Sequence, residues 1–198
     1  MNSFHTPVLL KEVIENLNVE KRGKYIDATI GGGGHSFEIL EKGGIVLGID
    51  CDQDALDYVE EKIKNADNLT LVRGNFRDID SIAHSKDFDK VSGIIFDLGV
   101  SSHQLEAKDR GFSFQAQGEL DMRMDKDLGI KAKDLIQALT KGELYELFHK
   151  LGEESNAWEV SQYIVSARKV KPVETTWDLA EIINKAVLKP REIEAWFN

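Results

Sequence analysis

The chain has few of the residues that cross-link a fold, bind metal through thiolates or insert into a membrane. One of its 198 residues is a cysteine, Cys51, so an internal disulfide is impossible and CxxC-type zinc or redox motifs are absent. Cys51 has no evident base nearby and is expected to be structural. Prolines number three, and no internal repeat or low-complexity stretch occurs. No apolar run approaches the ~18 residues that a membrane span needs. Val8, Leu9 and Leu10 are followed at once by Lys11 and Glu12, too short and too charged a start for a secretory signal, so the expected location is cytoplasmic. Histidines 5, 35, 84, 103 and 149 show no ligand spacing with cysteine or carboxylates, so no metal is expected. Basic residues are outnumbered, 25 against 35 acidic, for a net charge of −10. Such a chain is no obvious polyanion binder unless positive charge is concentrated locally.

The acidic excess is uneven: residues 1–99 carry −7 and residues 100–198 carry −3, so any polyanion site is expected in the second half or at the seam. With 41% apolar and 30% charged residues the composition is that of a folded globular protein. The length suits one to two domains and a core that hides roughly 70% of the unfolded surface.

Thr6 and Pro7 suit the start of a helix that carries Val13, Ile14 and Leu17 on one side. Strands are expected at 25–30, 45–50, 69–72 and 91–97, with helices at 36–42 and 52–65 between them. Short apolar runs alternating with helices imply βαβ crossovers and a parallel sheet covered on both faces. Residues 98–127 lack periodicity, and a loop that long is usually functional. From Lys131 onward only helical patterns occur, over 131–139, 141–150, 155–168, 175–187 and 190–197, with Thr175 or Thr176 as a cap. The expected division is an α/β domain over 1–104, followed by the loop and an all-helical domain over 105–198.

The run Asp27-Ala-Thr-Ile-Gly31-Gly32-Gly33-Gly34-His35 joins the first strand to a helix. Glycines there let backbone approach a ligand, although a plain structural turn would also account for them. The dinucleotide fingerprint is only partly met, because Ser36 or Phe37 replaces its third glycine. Asp50 ends the second expected strand 19 residues beyond Gly31, where a carboxylate can accept both hydroxyls of an adenosine ribose. NAD and S-adenosylmethionine share that requirement. A loop lined by Asp27, Asp50 and Asp97 would repel a pyrophosphate and favour a sulfonium, so S-adenosylmethionine is preferred and NAD stays as the alternative. Phe76, just after the third strand, could stack on adenine or simply fill a core.

After the fourth strand come FDLGVSSHQL (96–105), DRGFSF (109–114) and LDMRMD (120–125). Asp97 could accept a hydrogen bond from an exocyclic amine, and Gln104 could meet the methyl donor or a base edge. Arg110 and Arg123, with Phe112 and Phe114, mix cations and rings in a way that suits single-stranded RNA, though an internal salt-bridge network with Asp109, Asp121 and Asp125 explains the charges equally well. Arg168, Lys169 and Lys171 open a stretch, 160–191, that holds six basic and three acidic groups. That stretch is either an RNA-facing surface or an ordinary solvated helix face.

HTPVLLKEV, YIDATIGGGGHS, GIDCD, FDLGVSSHQLE, RGFSF, LDMRMD, LGEE and RKVKPVETTWDLAEII, in this order, resemble the RsmH/MraW family over nearly the whole chain. DLGVSS with RGFSF and LDMRMD is the specific part. The resemblance implies an S-adenosylmethionine-dependent, Rossmann-like methyltransferase sheet with a helical RNA-recognition domain. It also implies methylation of the N4 amine of a cytidine in the decoding region of small-subunit (16S) ribosomal RNA. Its motifs place methyl-donor contacts at Gly33, Gly34, His35, Asp50, Phe76, Asp97 and Gln104. The expected partner is that RNA or the 30S particle. The expected catalytic group is Asp97, accepting an N4 hydrogen bond from a base drawn out of its stack.

Two departures stand out. His103 occupies a position where the family usually has proline. The family also continues into further strands, so the fourth strand is expected to form an apolar edge, covered by a second copy or a rearranged C-terminal helix, or else left by truncation. The competing functions are a non-catalytic S-adenosylmethionine-binding module and an NAD-dependent oxidoreductase. A serine hydrolase is disfavoured, since Ser101 and Ser102 lack the G-x-S-x-G elbow.

Overall fold

The computed structural model describes residues 7–63 and 66–187. These fall into two compact units. The first runs to His103 and takes in Met124–Lys126; the second holds Gln104–Arg123 and the described residues from Asp127 on. Two ion pairs account for the return of 124–126 to the first unit: Arg73 with Asp125 at 2.9 Å and Lys126 with Asp54 at 2.7 Å.

The first unit is a doubly wound α/β layer. Its elements are α1 (Leu10–Leu17), β1 (Lys24–Asp27), α2 (Gly34–Glu41), β2 (Ile45–Asp50), α3 (Gln53–Lys62), β3 (Leu69–Arg73), α4 (Ile79–Ser85) and β4 (Gly93–Ile95). The four strands form one parallel sheet in the order β3-β2-β1-β4, with Tyr25 opposite both Val46 and Gly93. This is the parallel sheet that the alternation of runs and helices implied, and it fits the Rossmann-like sheet that the family resemblance implied. Side chains of a strand alternate between faces. Tyr25 and Val46 therefore pack with Ile14 of α1 and Ile39 of α2, while Ile26, Leu47 and Ile49 pack with Ala83 of α4 and with Phe88. Each fully buried Leu or Ile there contributes roughly 1.5–3 kcal/mol.

Several boundaries differ from the sequence expectation. β1 stops at Asp27 instead of running to residue 30, because the backbone turns into the glycine loop; Ala28 and Ile30 still donate to Ile95 and Ile49. β4 is three residues long, so Asp97 lies just past the strand end. α4 was not anticipated, and the aperiodic stretch 98–127 contains α5 (Ser102–Glu106) and a 3₁₀ turn at Lys108–Arg110. α1 begins at Leu10, three residues after Pro7; Thr6 and the pattern at 190–197 lie outside the described residues. Among the described residues β4 is an edge strand, and its Ile94, in register with Ile26, is 45% exposed.

The second unit is helical: α6 (Ala132–Ala138), α7 (Lys141–Lys150), α8 (Ala157–Ala167) and α9 (Thr176–Val187). Leu120, Ile136, Leu144, Val160, Ile164 and Val173 form its core. Thr140 starts α7 with a reciprocal cap. The Glu143 N–H donates to Thr140 Oγ1 at 3.3 Å, and the Thr140 N–H donates to Glu143 Oε2 at 2.8 Å. Thr175 does the same for α9 with Asp178. The irregular segment before α6 is tied down by a bridge between Glu119 and Thr175 and by the Leu120 N–H donating to Glu174 O at 2.9 Å.

Candidate functional site

Parallel pairing brings the carboxyl ends of β1, β2 and β4 to one edge of the sheet, the place where open α/β sheets bind ligands. Asp27 ends β1, Asp50 ends β2, and Asp97 follows β4 by two residues.

The glycine loop is shaped by contacts that larger residues would break. Gly33 has φ +76°, and a Cβ there would press on Val59. Gly34 sits so close to Pro7 that a Cβ would overlap the proline ring. Asp50 holds the loop: the Gly31 N–H donates to its Oδ2 and the Asp52 N–H to its Oδ1, both at 2.9 Å. The Cys51 N–H also bears on this carboxylate, which as a double acceptor with about four acceptor positions keeps room for a further donor. Burial raises the Asp50 pKa, and the Asp52 and Gly31 N–H groups oppose that rise.

Asp27 is placed differently from the expected ligand-facing acid. It is 2% exposed, with Ser36 Oγ donating to Oδ2 at 2.7 Å and the Thr29 N–H donating to Oδ1 at 3.3 Å. Burial pushes its pKa up to about 6, against the lowering effect of Ser36 and Thr29. It therefore braces the loop from beneath. His35 is also buried, its Nε2 3.2 Å from Val8 O. Cys51, beside Asp50, has its thiol pushed up to about 11 by burial and by that carboxylate, which keeps it protonated at neutral pH.

Phe76 lies in a 3₁₀ turn (Phe76–Asp78) after β3 and is half-exposed. Its ring meets Phe96 edge-on, with centroids 5.7 Å apart and planes at 89°. Phe96, which the sequence reading did not single out, is equally exposed; its position one residue before Asp97 was the available signal. Asp97 is half-buried, and its N–H donates to Thr29 Oγ1 at 2.7 Å.

In the second unit Gln104 is buried within α5. The arginines expected to meet RNA are turned inward. Arg110 is 3% exposed and donates to Arg123 O at 3.1 Å. Arg123 clasps Asp121 through two bonds, at 2.7 and 2.8 Å, and also reaches Leu128 O. That fork holds the Asp121 carboxyl at about 2. Arg168 donates to Ile136 O at 2.5 Å, Lys171 pairs with Asp178 at 3.0 Å, and Lys169 is exposed. Phe114 stays 73% exposed, with Trp177 Nε1 donating to its carbonyl at 3.1 Å.

A family model described as the MraW methylase family matches residues 2–195. The chain belongs to that family. Relatives named "Ribosomal RNA small subunit methyltransferase H" share its sequence. The protein from Clostridium botulinum (strain Loch Maree / Type A3) is 44% identical over 190 residues, covering 94% of this chain and 62% of the relative. The one from Lachnospira eligens is 41% identical over 199 residues, covering 98% and 62%. The chain thus spans about 62% of the length of the curated MraW-family relatives that it matches. No helix among the described residues is long and apolar enough to cross a membrane.

Proposed function

We propose that this chain binds S-adenosylmethionine at the glycine loop and acts in methylation of small-subunit ribosomal RNA. The carrying observation is Asp50, half-exposed at the end of β2, with one face of its carboxylate fixed by Gly31 and Asp52 and the rest available to a ribose. Gly33 and Gly34 would admit the amino-acid part of the donor, and Phe76 would lie against the adenine. A neutral-to-anionic loop with no lysine or arginine between Asp27 and Asp50 except Lys42 suits a sulfonium better than a pyrophosphate. The bound donor supplies an electrophilic methyl group.

The finer reading follows the family: the acceptor is the N4 amine of a cytidine in the decoding region. Its lone pair is conjugated into the ring, so the protein must hold it in line at ~3–3.5 Å. Asp97 accepts an N4–H hydrogen bond and so orients the amine. Phe114, Lys169 and Lys171 would meet the splayed RNA, Lys171 exchanging Asp178 for a phosphate; Arg110, Arg123 and Arg168 shape that surface from within. The cytoplasm is the matching location. A second copy could pair along β4 and cover Ile94, which light scattering would reveal as a dimer.

The test is transfer of labelled methyl from S-adenosylmethionine to 30S-derived RNA by the wild-type chain and Asp97→Asn. The reading expects transfer that falls at least about 100-fold in the variant, with unchanged melting. Equal transfer by both would remove Asp97 from its role, and none by the wild type would overturn the activity.

A further inference from the structure

Where β1 bends away from β4, one hydroxyl replaces the lost ladder. The β1–β4 pairing ends with Asp27 opposite Ile95, and the Ala28 N–H closes it by donating to Ile95 O at 2.9 Å. The Asp97 N–H lies beyond this last ladder bond, where residues 28–31 have turned into the glycine loop. Thr29 Oγ1 takes that N–H at 2.7 Å. Thr29 is itself fixed: its N–H donates to Asp27 Oδ1 at 3.3 Å, and Asp27 Oδ2 is held by Ser36 of α2 at 2.7 Å.

We propose that Thr29 is the positioning residue of the site: its hydroxyl sets the backbone of Asp97 and so aims the Asp97 side chain at the methyl-transfer position. This rests on the reading of Asp97 given above. The hydroxyl is the required acceptor, and the β-branch adds stiffness at χ1; threonine offers both. Valine keeps the shape and removes the acceptor, whereas serine keeps the acceptor and loses one methyl. Because the Asp97 N–H is only half-buried, water can take over the bond in Thr29→Val, so the effect falls on geometry more than on folding.

The experiment compares wild type, Thr29→Val and Thr29→Ser. It measures the hydrogen-exchange rate of the Asp97 amide, S-adenosylmethionine affinity by calorimetry, and kcat and KM for methyl transfer to 30S-derived RNA. The amide should be protected in wild type and Thr29→Ser and at least about tenfold faster to exchange in Thr29→Val. Thr29→Val should lower kcat by about 100-fold with the RNA KM unchanged, and Thr29→Ser should stay within about threefold of wild type. Thr29→Val with wild-type kcat and affinity overturns the proposal, as does loss in Thr29→Ser equal to that in Thr29→Val. A wild-type chain that binds no S-adenosylmethionine overturns the donor reading along with it, a result separable from the first because the amide still reports whether the bond exists.

Discussion

The carboxylates at the ends of β1 and β2 and those that pin the helical unit are held in opposite ways. In the sheet unit Asp27 is buried and Asp50 half-exposed; both take only backbone N–H and hydroxyl donors and have raised pKa values. In the helical unit Glu119, Asp121 and Asp178 are met by Lys131 and Lys133, by Arg123, and by Lys171, and their pKa values are lowered. Asp178 is pushed upward by burial, but Thr175, Lys171 and the Glu174 N–H outweigh that. A carboxylate kept without a cation costs stability; one clasped by a cation contributes it. At Asp50 the first arrangement leaves a carboxylate without a cation beside the glycine loop, as the proposed donor requires; the second holds an irregular segment in place.

The difference can be broken at single residues. Asp27 holds its proton up to about pH 6, whereas the unfolded chain releases it at its ordinary 3.8. Its stabilising contribution is therefore complete below pH 4 and is lost as pH rises from 4 to 6, an effect of roughly 3 kcal/mol. Asp27→Asn should remove that slope, measured as urea midpoints of wild type and variant across this range. An unchanged slope would place Asp27 outside the buried network. Asp121 carries the opposite sign. With a folded pKa of about 2, its contribution is present above pH 4 and is lost as pH falls toward 2, an effect of about 2 kcal/mol. Asp121→Asn should lower stability at pH 7 by that amount and leave S-adenosylmethionine affinity untouched; a fall in affinity would contradict the division of labour. The smallest effect belongs to Lys171, whose pair with Asp178 is exposed on the lysine side. Lys171→Ala should leave the melting point in place while weakening RNA binding and flattening its salt dependence by about one phosphate contact.

The sheet unit was the more legible in sequence, for a physical reason. Strands buried on both faces read as continuous apolar runs, so IVLGID at 45–50 is β2 to the residue. The helix at 141–150 was equally plain from its helical pattern; the Thr140–Glu143 cap that starts it emerged only in the structure. α4 was missed although Ile79, Ile82 and Ala83 share one face, because seven residues give too little periodicity beside so many charges. At the site, the placement of Asp50 followed from strand-end logic. The burial of Arg110 did not, since nothing in DRGFSF says whether an arginine points to solvent or to a neighbouring carbonyl. Nor did the inward role of Asp27, which depends on Ser36 reaching back across nine residues to meet it.

The central claim is that the Asp50-braced glycine loop is built for a cationic nucleoside and not for a dinucleotide. Calorimetry of the wild-type chain with S-adenosylmethionine and, separately, NAD tests it most directly, with Asp50→Ala as the control. The account predicts saturable heat with S-adenosylmethionine, loss of about 100-fold in affinity in Asp50→Ala, and no binding of NAD. Binding of NAD in preference, or S-adenosylmethionine affinity indifferent to Asp50, would contradict it.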